Sequence, residues 1–319
     1  MNIRYIKGQI KGRIKKYWEI SVLFFREFYY NNRVNLVFIA KKYFKKGKVK
    51  VLISDSRIND YAKDLVTIGI LTKNRLDLIR PCLNSILENP SGGKHEAEIL
   101  IGDTGSGEEK VWNFYKDICE KYKNVKIVKF KKYYFSRNYN ELFGRYASGQ
   151  YLIFLNNDTI VKGNWIDSLT DPLRDKKIGI VGGKLLNADG TIQHAGIVFD
   201  ENGNSVNSYH GMPKNLREAD FKATVPGVTF ACAAVRRDIF FRFWINEEYK
   251  EEAQDTDFCL RLLESGFTIL YNPEVEIYHF ECSSRDWRKG EKDRRLMKKQ
   301  WGKKIIEFAG KKNQRIYLK

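Results

Sequence analysis

Short apolar runs alternate along this chain with longer stretches in which apolar residues return every three or four positions. Residues 66–71 are the first such run and read as a buried strand. Residues 76–87 follow, with Leu76, Ile79, Leu83, Ile86 and Leu87 on one helical face. The alternation continues with a strand at 98–103, a helix at 110–123, a strand at 125–130, a helix at 135–148 and a strand at 151–155. Strands that alternate with helices build a mainly parallel sheet covered by helices, an α/β fold. Beyond residue 158 the pattern loosens. A short strand is expected at 178–183, and 187–224, rich in Asn, Asp, Gly and Ser, reads as loops or an excursion hairpin. A strand-like run at 225–236 starts with Pro226 and Gly227. A helix at 255–265, short strands at 268–270 and 275–278 and a basic helical segment complete the chain, which has no internal repeat.

The strand ends carry the chemistry. The run 151–155 stops abruptly at Asn156, Asn157 and Asp158; the first strand closes on Thr72-Lys73-Asn74-Arg75 and the second on Asp103. Open α/β sheets bind ligands at the carboxyl ends of their strands. A hard divalent cation that grips phosphate oxygens needs one or two carboxylates there, although an Asn-Asp turn after a strand is also ordinary turn chemistry. A nucleotide across this rim would find Asp103 as an acceptor for base or ribose groups, and Arg75 and Arg137 as phosphate partners. Neither a Walker-type loop nor Gly-x-Gly-x-x-Gly follows a strand, so phosphate handling falls to a metal and basic side chains.

A second acidic centre, from Glu251 to Asp257, precedes the helix at 255–265. Acidic residues in a first turn suit the helix dipole, and a carboxylate there can also serve as a general base toward a hydroxyl. His279, one of four histidines, stands at a strand end; such a residue serves either packing or metal ligation.

Charge separates the body from its ends. Of the net +18, residues 1–50 carry +12 and 285–319 carry +10, leaving the middle at −4. An acidic body with basic flanks suits an enzyme that meets an anionic surface, not a nucleic-acid groove. Trp18, Val22, Phe25 and Tyr29 recur at helical spacing behind Lys7, Lys11, Arg13, Lys15 and Lys16; this amphipathic helix can lie on an anionic leaflet or pack on the body. No run is long enough to span a membrane, and no signal peptide is read. The five cysteines form no Cys-x-x-Cys pair, which argues against structural zinc or a disulfide framework and fits a reducing cytosol.

Six segments in order resemble the inverting family 2 glycosyltransferases, in particular rhamnosyltransferase-like enzymes of bacterial surface-polysaccharide assembly. They are Val-Thr-Ile-Gly-Ile-Leu-Thr-Lys-Asn-Arg75, Ile-Gly-Asp103-Thr-Gly-Ser, Phe-Leu-Asn-Asn-Asp158-Thr, Asp189-Gly-Thr-Ile-Gln-His194-Ala-Gly, Gln-Asp255-Thr-Asp-Phe-Cys-Leu-Arg and His279-Phe-Glu-Cys-Ser-Ser-Arg285. The resemblance implies a GT-A fold with basic helical extensions. The expected division is an N-terminal extension at 1–60, a transferase domain at 61–285 (a nucleotide-sugar half at 61–160, an acceptor half at 161–285) and a C-terminal tail at 286–319. It also implies a UDP-, dTDP- or GDP-linked sugar donor, Mn²⁺ or Mg²⁺ on Asp158 and His279, and donor contacts from Thr72, Asn74, Arg75, Asp103, Arg137, Asn156, Asn157 and Asp158. Gly227, Val228 and Thr229 would line the acceptor side, and Asp255 would be the base. Two departures stand out: Asn156 replaces the family's first metal-motif Asp, and Gln254 replaces the Glu before the base. The implied acceptor is a glycan, lipid-linked, at the inner face of the cell membrane. Other readings differ in class. A pyrophosphorylase would carry a Gly- and Arg-rich loop where Thr72–Arg75 stands, a degenerate glycan-binding protein would explain Asn156 and Gln254, and a nucleic-acid binder would need a basic body.

Overall fold

The computed structural model describes residues 60–280, 290–311 and 314–318. The helix expected around residues 18–29 lies outside the described residues, as do Glu281, Cys282 and Arg285. The first half builds β1 (Ala62–Thr72), α1 (Leu76–Glu88), β2 (Glu96–Asp103), α2 (Glu109–Lys121), β3 (Val125–Lys129), α3 (Phe135–Tyr146) and β4 (Gly149–Asn156). Strands β4, β1, β2 and β3 lie side by side and parallel. The central position of β1 explains its continuous apolar run: residues 66–72 are buried, because helices cover both faces of such a strand. On α1 the buried residues include Ile79, Leu83 and Ile86, the stripe read from the sequence.

The second half adds β5 (Thr159–Ile160), α4 (Trp165–Thr170), β6 (Ile178–Leu186), β7 (Ile192–His194), β8 (Ile197–Phe199), β9 (Ser205–Asn207), β10 (Ala223–Thr224), β11 (Cys232–Arg236), α5 (Arg237–Phe243), α6 (Gln254–Glu264), β12 (Thr268–His279), α7 (Glu291–Ala309) and β13 (Ile316–Tyr317). Most of its strands extend the same sheet, in the order β13-β10-β12-β6-β11-β4-β1-β2-β3 among the described residues, with β5 on β12 and β7 on β6, while β8 and β9 form a separate two-stranded sheet. Strand β11 runs antiparallel between β4 and β6, so the two halves share one core. Phe154 of β4 stacks on Phe230 at 4.2 Å and meets Tyr139 and Phe143 of α3 edge-on. Gly69 makes room for this layer, since a Cβ there would lie 2.5 Å from the Phe143 ring.

Several elements differ from expectation for physical reasons. Of the run 225–236 only Cys232–Arg236 pairs as a strand; Pro226 lacks a ladder donor, and the chain ahead of Cys232 loops along the rim instead. The two strands expected at 268–270 and 275–278 are one, β12, with Pro273 at a register shift between Asn272 and Glu276. Helices α4 and α5 have 6 and 7 residues, too few to show a period. The basic C-terminal helix is partly core. Asp293, Met297, Trp301 and Ile305 of α7 form a buried stripe, whose apolar members pack with Phe199, Tyr249 and Leu260.

Candidate active site

Thr72 and Asp103 are register partners at the ends of β1 and β2, and the loops beyond them are tied together. Asn74 takes a left-handed φ of 56°, which Asn tolerates better than most residues. Its N–H donates to Ser106 Oγ at 2.8 Å, and its Oδ1 accepts from the Gly107 N–H at 2.8 Å. Asp103, 1% exposed, accepts the N–H groups of Gly105 and Ser106 on Oδ1 and the hydroxyls of Ser106 and Tyr115 on Oδ2. A carboxylate has about four lone-pair directions, and here three are taken by its own loop and one by Tyr115 of α2. Asp103 therefore shapes the rim that a ligand would meet. Arg75 lies outside the buried rim, ion-paired with Asp77 at 2.7 Å, and Arg137 is exposed on the first turn of α3.

The end of β4 meets the end of β12. After Asp158 the chain reverses into β5, which pairs antiparallel with β12 so that Thr159 faces His279. This reversal brings Asp158 Oδ1 to 3.2 Å from His279 Nε2, and the Asp158 carbonyl accepts the Phe280 N–H at 2.9 Å. Asn156 Nδ2 lies 3.1 Å from His279 Nε2, and Asn157 Nδ2 donates to Thr72 Oγ1 at 2.9 Å. Three strand ends, from β1, β4 and β12, thus converge.

Gln193, which the sequence reading left without a role, sets the His279 ring. Its Nε2 donates to the His279 carbonyl and to Asn187 Oδ1, each at 3.1 Å. That fixes the amide so that Oε1 faces His279 Nδ1 at 2.5 Å. In the neutral ring Nδ1 carries the proton, and the Nε2 lone pair points at Asn156 and Asp158. Metal-binding histidines commonly donate their second ring N–H in this way.

The donor set fits a divalent ion. A carboxylate oxygen and an imidazole nitrogen 3.2 Å apart are close enough for both to hold one divalent ion. Among the described residues no three His, Cys, Asp or Glu side chains gather to hold an ion unaided. A two-residue site suits an ion that takes its remaining ligands from phosphates and water.

On the other side of the rim, α6 opens at Gln254 after Ala253, which takes a left-handed φ of 68°. Asp255 is half-buried, and its Oδ1 accepts the Thr256 N–H at 2.7 Å. One turn on, Cys259 Sγ meets the Val228 N–H at 3.5 Å, so the Asp255 face of α6 docks against Val228, with Gly227 beside Cys259. The Thr229 N–H donates to His194 Nε2 at 3.4 Å, and His194 Nδ1 bonds Asn207 Oδ1 at 2.8 Å. Burial pushes the His194 imidazole down to about 4, against the upward pull of Asn207 and of the Asp255 carboxylate. His194 thus ties Thr229 of the acceptor candidate to Asn207 of β9, within electrostatic reach of Asp255. The sequence clue to Gln193 and His194 is two polar residues between Ile192 and Ala195 in an otherwise buried segment.

Comparisons with known proteins bear on the fold and the family. The chain is 28% identical over 230 residues to the O-antigen biosynthesis protein RfbC of Myxococcus xanthus, covering 69% of this chain and 18% of that protein. It is 26% identical over 228 residues to the uncharacterized protein y4gI of Sinorhizobium fredii, covering 69% and 25%. The chain thus spans a quarter or less of the curated relatives it matches. Among solved structures, GalNAc-T7 with UDP, GalNAc and Mn²⁺ aligns with TM-score 0.57 and 17% identity, over 68% of this chain and 44% of that one. The mannosyltransferase PcManGT of Pyrobaculum calidifontis, in complex with GDP-Man and Mn²⁺, aligns with TM-score 0.52 and 17% identity, over 84% and 70%. The mixed sheet flanked by helices is the GT-A arrangement. Residues 67–243, more than half of the chain, match the profile "Glycosyl transferase family 2", and the chain belongs to that family of glycosyltransferases.

Proposed function

We propose that the protein is a metal-dependent, inverting glycosyltransferase of cell-surface polysaccharide synthesis. It would move a hexosyl or rhamnosyl group from a UDP-, dTDP- or GDP-linked donor to a hydroxyl of a glycan acceptor. The observation that carries this reading is the convergence of Asp158, the Nε2 lone pair of His279 and Asn156 at the carboxyl ends of three strands, in a chain of this family. Asp158 and His279 would hold Mn²⁺ or Mg²⁺, which when bound supplies Lewis-acid stabilisation of the diphosphate leaving group. Both structural neighbours were crystallised with Mn²⁺ and a nucleotide or nucleotide sugar.

The protein's own groups do the rest. Thr72, Asn74 and the loop folded by Asp103 form the wall for the nucleoside, and Asn157 ties that wall to the metal-binding tip. Arg75 and Arg137, at the mouth, swing onto phosphate oxygens. Gly227, Val228 and Thr229 present the acceptor, and Asp255 removes its hydroxyl proton as the oxygen attacks from the face opposite the diphosphate. Holding two substrates in line supplies much of the rate. Residues 61–160 then act as the donor half and residues 161–285 as the acceptor half.

The acceptor we infer is a lipid-linked glycan, met at the cytoplasmic face of the membrane. Among the described residues no helix is long and apolar enough to cross a membrane. Helix α7 exposes Lys292, Arg295, Lys299 and Lys303 at spacings of three and four, a basic stripe worth about 1 kcal/mol per charge on an anionic surface. A protein that ignores anionic liposomes at low salt would not be peripheral in this way.

The functional test is binding and hydrolysis of a panel of nucleotide sugars with Mn²⁺, Mg²⁺ or EDTA. One donor that turns over only with metal, and not in Asp158→Ala, supports the reading and names the sugar. Absence of binding to every donor with either metal sinks it and favours a degenerate binding protein.

A further inference from the structure

We propose that Asp293 of α7 is a positioning residue for Asp255, so that the C-terminal helix, read from the sequence as a basic tail, sets the geometry of the base. The inference rests on the reading of Asp255 given above. Asp293 is 3% exposed, and its Oδ2 accepts three consecutive backbone N–H groups, from Lys250 at 2.8 Å, Glu251 at 2.6 Å and Glu252 at 3.0 Å. The next residue is Ala253, in the left-handed region at φ 68° and ψ 8°, and α6 starts immediately after it with no side-chain cap. A left-handed alanine costs about 1–2 kcal/mol, so this turn needs an outside restraint. The Asp293 carboxylate supplies one with three charge-assisted bonds.

Helix α7 also grips the far side of Asp255. Trp301 Nε1 donates to Asp257 Oδ1 at 2.9 Å, and the other Asp257 oxygen pairs with Arg261 at 2.8 Å. Arg294 bonds Glu252 at 2.7 Å, and the Tyr249 hydroxyl donates to Gln300 Oε1 at 2.8 Å. Asp293 and Trp301 lie eight residues apart on one buried stripe of α7. They hold residues 250–252 and residue 257, on either side of Asp255. On its other face α6 rests on Val228 through Cys259. The base is thus clamped between α7 and the acceptor segment. A general base works within about 2.6–3.2 Å of its proton, and a misplacement of about 1 Å can cost 10²-fold in rate. Releasing the α7 side should leave the donor pocket, built from β1, β4 and β12, untouched.

The test compares wild type, Asp293→Asn, Trp301→Phe and Asp255→Asn. Binding of UDP, dTDP and GDP with Mn²⁺ is measured beside metal-dependent hydrolysis of the preferred nucleotide sugar, in which water takes the acceptor's place. Asp293→Asn keeps the shape of the side chain but removes the charge. Its kcat is expected to fall about 10–100-fold while the donor KM and nucleotide Kd stay within twofold. Trp301→Phe, the milder variant should Asp293→Asn fold poorly, is expected to show the same split, about 3–10-fold in kcat. Loss of nucleotide binding in step with kcat would make α7 a structural brace only and overturn the proposal, as would an unchanged kcat in both variants. Asp255→Asn separates the two readings. If it retains full kcat, the assignment of the base fails; if it is inactive while the α7 variants are fully active, only the positioning role fails.

Discussion

Replacing Gln193 by Leu tests the proposed metal role of Asp158 and His279 through a residue outside the proposed ligand set. The side chains are similar in size, but Leu cannot accept the His279 Nδ1–H, now 2.5 Å from Gln193 Oε1, or donate to the His279 carbonyl at 3.1 Å. Removing an outer partner of a metal-binding histidine typically costs 10–100-fold in metal affinity, about 1.4–2.7 kcal/mol. The same change leaves a buried N–H and a buried C=O without their partner, at about 1–3 kcal/mol each. Partial recovery from the added apolar side chain leaves a net loss of about 2–4 kcal/mol. For a body of this size that lowers the metal-free Tm by roughly 4–8 °C. Mn²⁺ affinity would be read by calorimetry or by the electron paramagnetic resonance signal of free Mn²⁺, at a fixed nucleoside diphosphate concentration. Gln193→Glu separates the two effects. It restores an acceptor for Nδ1–H, so metal affinity should recover, but it turns an oxygen toward two carbonyl acceptors, so stability should not. A folded Gln193→Leu protein that binds Mn²⁺ within twofold of wild type would refute the reasoning.

Three further outcomes follow from particular contacts. Gly182→Ala places a Cβ 2.5 Å from the Val228 Cβ, so it should cost about 1–3 kcal/mol and displace the acceptor segment, read as a lower Tm together with a raised acceptor KM. Trp301→Phe deprives the buried Asp257 carboxylate of a donor, and urea unfolding should show a loss of about 1–3 kcal/mol. His194 titrates near 4 in the fold against about 6.5 when unfolded, so the unfolded state binds the extra proton between those values. Stability should be full above pH 6.5 and fall by about 3 kcal/mol as pH drops toward 4; a His194→Gln variant that keeps the same acid slope in this window would contradict it.

Much of the first half, up to β4, was legible in the sequence because its signals are local. The apolar run of β1, the stripe of α1 and the polar tip Asn156-Asn157-Asp158 each follow from a period or an abrupt change of polarity along the chain. Helices α4 and α5 were not legible, being too short to repeat. Nor was the continuity of β12 through Pro273, which only the pairing with β6 reveals. Asp103 shows the limit within a motif that was found. Its position at a strand end could be read directly, but the bonds that occupy it, three from its own loop and one from Tyr115 of α2, could not.

By itself the sequence determined the alternation of strands and helices, the acidic body with basic ends, and which strand tips carry polar groups. These depend on residues within a few positions of one another. Tertiary structure alone decided that His279 meets Asp158, through the reversal at β5, and that Gln193 selects the nitrogen His279 presents. It also decided that one stripe of a basic helix is core. Asp293 looks like any acidic residue in the first turn of a charged helix; only the packing of α7 gives it three backbone donors more than forty positions earlier in the chain. Contacts between distant segments depend on which faces the folded sheet and helices leave to be covered, and no local period encodes that choice.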